Sequence, residues 1–279
     1  MSTTLANDRP ANHQTERRPL CDGDWLLDAI RESLFSLRPE SQGLGEVLTW
    51  HFSLPGGMNR ARLGASIGLV LGLPTPLVVG LTTLAQAVHE ASLLIDDVND
   101  RSLKRRGQAT AWTKFGEDRA TLSGIRLLTS AQRLCIALTD KFKLRLTVSE
   151  TLSHAVERAL DGQAAEITQT PSDWDQYDWI AARKTGALMA LPVMLVASAA
   201  GTPAVQEQRW QQQVETIGLI YQLADDIRDG EFTHFGWKVE LPTPQQRIDI
   251  LAGGLRTELE ASVDPVSGIL LDLLDELLS

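Results

Sequence analysis

Two short runs hold the most concentrated acidic chemistry in this chain: "DDVND", with Asp96, Asp97 and Asp100, and "DDIRD", with Asp225, Asp226 and Asp229. On a helix, the first and last aspartates of such a run lie one turn apart on the same face. Asp96 with Asp100, and Asp225 with Asp229, can each offer two carboxylates to one ion. Ligation by oxygen alone favours Mg2+, with Mn2+ possible, and Mg2+ normally shares its octahedron with water and substrate phosphate. Both runs close long apolar segments with helical spacing, where the helix end carries partial negative charge and prefers cations. A single run could be a solvated helix end. Two of them require a compensating cation, and facing each other they would form a metal clamp for a diphosphate. The basic run "KRRG" follows the first motif at short spacing and supplies further positive charge.

These side chains need rigid helices behind them. Apolar residues recur with helical spacing, for instance at Leu81, Leu84, Ala85, Val88, Ser92 and Ile95, while strand-like alternation and Asn-Gly or Asp-Gly turns are almost absent. The pattern predicts helices near 24–38, 43–53, 59–72, 76–100, 117–139, 144–169, 173–200, 203–229, 244–261 and 265–278. The fold class expected is all-α: one bundle of about ten helices around a central cavity, spanning residues 21–279 with no internal linker. Thr75-Pro76 and Thr202-Pro203 each read as an N-cap followed by proline at the first helical position, and Gly230 as a C-cap.

The chain has 279 residues, 43% of them apolar, enough for a substantial core. Its net charge of −10 argues against nucleic-acid binding, which needs a basic face. Cys21 and Cys135 are far apart with no CxxC spacing, so neither a zinc site nor a disulfide framework is suggested, and a reduced cytoplasmic location is expected. Residues 1–20 are polar and lack the apolar core of a signal peptide; they are expected to be a disordered tail. The uncharged stretch from Leu63 to Leu81 is broken by Gly72, Pro74 and Pro76, which favours two buried helices over one membrane span, and Gly186 to Gly201 is too short to span.

With these runs in place, the chain resembles the trans-isoprenyl diphosphate synthases, an all-α family that includes farnesyl and geranylgeranyl diphosphate synthases. "HEASLLIDDVNDRSLKRRG" is similar to the family's first aspartate-rich motif with its upstream His and downstream Arg-Arg-Gly. "YQLADDIRD" is similar to the second, "GQAAE" to the family's GQxxD, and "ARKTGAL" to its Lys-Thr-Gly segment. The order of the segments also matches, from about Gly56 to Pro242. The resemblance implies Mg2+-dependent condensation of isopentenyl diphosphate with an allylic prenyl diphosphate, usually by a homodimer. It implies that Asp96, Asp97 and Asp100 hold two ions, that Asp225 and Asp229 hold a third, and that Asp226 belongs to the same catalytic set. Glu166 stands where the family has Asp and could still ligate metal or its water. Arg105 and Lys184 would contact the allylic diphosphate. Arg60, Arg62, His89 and Arg106 would help bind isopentenyl diphosphate, with Lys238 on the loop after the second motif. Thr185 and Gln222 would line the place where the allylic cation forms. The family's proton acceptor is the departing diphosphate.

Four positions depart from the family pattern. In "GGMNRARL", Asn59 replaces a lysine that would contact diphosphate. Ile125 stands where an Asp is customary, Glu166 is one methylene longer than the usual Asp, and the loop "GEFTHFGWKVELP" is short. Three of these touch isopentenyl diphosphate binding or closure. Two other readings therefore stay open: a terpene-synthase-like enzyme that ionises a prenyl diphosphate without elongation, and a regulatory subunit of a heteromeric synthase. The intact pair of motifs argues against the subunit. Ala91 and Ser92 lie about 6–7.5 Å behind Asp96 along the helix, with Val88 one turn further. In the family a large aromatic here stops growth at farnesyl, so these smaller residues imply a product of geranylgeranyl length or longer.

Overall fold

The computed structural model describes residues 24–40, 42–54, 56, 58–233 and 242–279. The expected tail, Cys21, Lys238 and most of the loop after the second acidic run fall outside the described residues. Helices α1 (Asp24–Ser36), α2 (Gln42–Ser53), α3 (Asn59–Val70) and α4 (Thr75–Asn99) lead to a two-residue hairpin, β1 (Lys104–Arg105) and β2 (Gln108–Ala109). Then come α5 (Ala111–Phe115), α6 (Glu117–Phe142), α7 (Thr147–Thr168), α8 (Trp174–Ala181), a π-helical turn at Ala182–Gly186, and α9 (Ala187–Ala200). The chain closes with α10 (Ala204–Asp229), a 3-10 turn at Glu231–Thr233, α11 (Pro244–Glu260) and α12 (Pro265–Leu278).

The helical class is the one the periodicity indicates, and α4 is its axis. It packs on α6, α3, α1 and α9, with Leu81, Leu84 and Leu94 completely buried. A solvent-facing polar stripe is absent over most of α4 because neighbours surround it. Both α4 and the continuous rod Trp174–Ala200 are long and apolar enough to cross a membrane, but 78% and 72% of their most apolar windows are buried inside the bundle. That rod is the helix expected near 173–200, and it is longer than the apolar stretch 186–201 inside it. The Leu63–Leu81 stretch is split, as its Gly and Pro residues indicate, between α3 and α4.

The helix starts also need correction. Pro74 and Pro203 are themselves the N-caps of α4 and α10, with no side-chain cap, so neither Thr75 nor Thr202 caps as the Thr-Pro pairs suggest. Gly230 does cap α10, at φ 75°, with its N–H on the carbonyls of Asp226 and Ile227. The hairpin and α5 went unread in the sequence.

Candidate functional site

The two acidic runs face one cavity of about 610 Å3, walled by α3, α4, the hairpin, the π turn and α10. Asp96, Asp100, Asp225, Asp226 and Asp229 all line it. A second cavity of about 710 Å3 continues past Lys184 and reaches Glu166 and Tyr177, sharing Asp100, Asp226 and Asp229 with the first. Among the described residues, no group of three His, Cys, Asp or Glu side chains converges closely enough to hold an ion unaided. The acids nonetheless show uncompensated charge. Burial, with Asp100 and Glu166 adding repulsion, pushes Asp96 up to about 6, although Lys184 and Arg105 pull the other way. Burial raises Asp226 to about 6 as well, despite hydrogen bonds from Tyr177 and Gln222. Such carboxylates fit a divalent cation that completes its shell with water and phosphate.

Asp97 is not part of this set. One residue round the helix from Asp96, it is 1% exposed and clamped by Arg105, whose Nε and Nη2 donate to Oδ1 at 3.0 and 2.8 Å. The pair anchors the hairpin to the end of α4. Arg106 and Gly107 occupy the two turn positions between β1 and β2, at φ 52° and 80°. Positive φ at both central residues is the signature of the tight hairpin turn that matches strand twist, and glycine supplies it without strain. This turn aims Arg106 at the cavity, and Gly56 leaves it room: a Cβ there would stand 2.4 Å from Arg106 Nη1.

The π turn performs the same service for Lys184 and Thr185. A π turn inserts one extra residue and rotates the side chains that follow, which is why such turns gather at functional sites. Two glycines let neighbours close on it: a Cβ at Gly162 would stand 2.3 Å from the Lys184 backbone nitrogen, and one at Gly218 2.7 Å from Gly186 Cα. Lys184 pairs with Glu166. Thr185 donates to Gln222 Oε1 at 2.6 Å, Gln222 donates to Asp226 Oδ1 at 2.7 Å, and the Tyr177 hydroxyl donates to Asp226 Oδ2 at 2.6 Å. Asp226 is thus held from both sides. Tyr177 was missed in the sequence; its place seven residues before Lys184, two helical turns, was the available signal.

On the opposite wall, Asn59, Arg60, His89 and Glu90 line the cavity. Arg60 Nη1 lies 3.1 Å from His89 Nε2. Burial first, then the adjacent Arg60, hold the imidazole well below its usual value, so His89 is neutral. Arg62 is elsewhere: two residues on from Arg60 it faces α12, bound to Glu276 at 3.0 and 3.1 Å. Ser92 reaches the wall, whereas Ala91 and Val88 are 0% and 2% exposed in the core behind it.

The sequence matches the family profile described as Polyprenyl synthetase over residues 41–233. It is 32% identical over 189 residues to a geranylgeranyl pyrophosphate synthase of Clitopilus passeckerianus, covering 62% of this chain and 51% of that one. It is 28% identical over 186 residues to a terpene synthase of Matsumurasca onukii, covering 64% of this chain and 57% of that protein. The matched stretch thus spans about half the length of these curated relatives. In three dimensions it is similar to an FPP/GFPP synthase from Zymomonas mobilis, with TM-score 0.79, 20% identity, and 92% and 97% of the two chains covered. With more than half its length inside the family profile, the chain belongs to the polyprenyl synthetase family.

Proposed function

We propose that this chain is a divalent-metal-dependent prenyltransferase that ionises an allylic prenyl diphosphate and joins the prenyl group to isopentenyl diphosphate. The observation that carries this is the facing pair of acidic runs around one cavity that also presents Arg105, Arg106 and Lys184. Asp96 with Asp100, and Asp225 with Asp229, would hold Mg2+, which neutralises charge growing on the leaving diphosphate. Lys184 and Arg105 bind the same oxygens and lower the same barrier, while Arg106 faces the acceptor. Thr185 and Gln222, fixed by Asp226 and Tyr177, set the polar rim where the allylic cation forms. Leu93, Leu188 and Met189 supply the apolar wall that keeps water from it. The relative named a geranylgeranyl pyrophosphate synthase supports elongation, and Ser92 at the wall supports a product of that length or longer. A cytoplasmic homodimer completes the proposal; Leu122, Ile125 and Ile136, exposed on one face of α6, support the dimer.

A second reading, ionisation without elongation, is favoured by specific observations. Asn59 offers no charge to a second diphosphate, and Arg62 is bound to Glu276 away from the cavity. Radiolabelled isopentenyl diphosphate offered with geranyl, farnesyl and geranylgeranyl primers under Mg2+ separates the two. Label in a longer prenyl product supports elongation. Diphosphate release from the primer without incorporation of label replaces it with the second reading.

A further inference from the structure

The acceptor wall holds a charge that the proposed chemistry leaves unused. Glu90 is 7% exposed, on α4, and lines the cavity beside His89 and Arg60. Both its oxygens are occupied: His51 Nε2 lies 2.8 Å from Oε2, and Gln86 Nε2 donates to Oε1 at 2.7 Å. Burial alone would raise this carboxyl, but the hydrogen bond and charge of His51, with the hydrogen bond from Gln86, overcome that and bring it to about 2. It is therefore an anion at neutral pH. An acceptor carrying diphosphate brings its own negative charges to this wall. There it meets the guanidinium groups of Arg60 and Arg106 and the carboxylate of Glu90. Asn59 adds nothing and His89 is neutral. Arg60 is drawn electrostatically to Glu90, and its Nε is buried with no partner among the described residues.

We propose that Glu90 is a specificity-determining residue of the acceptor half, where its buried carboxylate offsets Arg60 and disfavours an acceptor bearing a diphosphate. The wall it makes suits an acceptor whose head group is neutral or carries little negative charge. Like charges brought together in a desolvated site oppose binding, whereas a polar isostere does not. The inference rests on the ionising step of the proposed function and runs against isopentenyl diphosphate as the preferred acceptor, so on that half it sides with the second reading.

The test is calorimetric binding of isopentenyl diphosphate, with Mg2+ and no primer, to wild type, Glu90→Gln and Glu90→Asp. Glutamine keeps the size and can bond both His51 and Gln86, so the fold is preserved; circular dichroism checks it. Glu90→Gln should tighten isopentenyl diphosphate binding about tenfold or more, the scale of one charge-assisted contact. Glu90→Asp, which keeps the charge, should remain near wild type. The affinity for a non-hydrolysable allylic diphosphate analogue should move less than about threefold, because Glu90 lies on the other wall. Equal isopentenyl diphosphate affinity in wild type and Glu90→Gln, or a gain in Glu90→Asp as large as in Glu90→Gln, overturns the proposal. Loss of allylic analogue binding in wild type instead overturns the proposed function, so the two failures are distinct.

Discussion

At the scale of single residues, orientation decides role. Asp96 and Asp97 are adjacent, yet a turn of about 100° per residue sends one to the cavity and the other into the clamp with Arg105. Asp97→Asn should therefore act by loosening the hairpin: the allylic substrate's KM rises while Mg2+ affinity changes little. A metal titration monitored by substrate-analogue binding separates these outcomes, and a large loss of Mg2+ affinity would return Asp97 to the ligand set. Glu90 gives a pH prediction. Its folded value of about 2 lies below its ordinary 4.5. The stability it contributes is present above about 4.5 and is lost as pH falls through that range toward 2. Glu90→Gln has no such group, so its thermal midpoint should fall less than that of wild type across this window. Parallel melting curves would remove Glu90 from the account. The motifs that name these residues were legible in the sequence; the side each residue faces was legible only by counting turns, and Arg62, two positions from Arg60, is turned to Glu276 instead of the cavity.

At the scale of elements, most helices follow from apolar period, and their limits shift by only a few residues. What the sequence did not reveal has a tertiary origin. The π turn exists because Gly162 and Gly218 let α7 and α10 close on it, and no local propensity records that contact. The hairpin turns on Arg106 in the left-handed region, which arginine does not favour. Gly162→Ala must displace either α7 or the Lys184 backbone. It should lower stability by about 1–3 kcal/mol and reduce allylic diphosphate affinity with it. Gly253→Ala, at an exposed position of α11 with nothing within 4 Å, should instead gain about 0.5–1 kcal/mol and leave the site untouched. Chemical denaturation of both variants checks the pair; a neutral Gly162→Ala would show that the π turn is not held by this contact.

At the scale of the whole molecule, the bundle brings acids from two helices distant in sequence to one cavity, and it leaves an apolar face on α6. Leu122, Ile125 and Ile136 are 53%, 50% and 63% exposed there. Light scattering should give the mass of two chains for wild type and of one for Leu122→Glu with Ile136→Glu; a monomeric wild type would assign the face another purpose. The central claim, that the paired motifs clamp metal around a leaving diphosphate, is tested most directly by inorganic diphosphate release. The assay uses an allylic prenyl diphosphate with Mg2+, a radiolabelled acceptor, and wild type, Asp96→Ala and Asp225→Ala at matched helical circular dichroism. Release by wild type that stops with chelator and falls at least a hundredfold in each variant, about 3 kcal/mol of lost transition-state stabilisation, is the result predicted. Release that persists near wild-type rates in both variants under Mg2+ would contradict it.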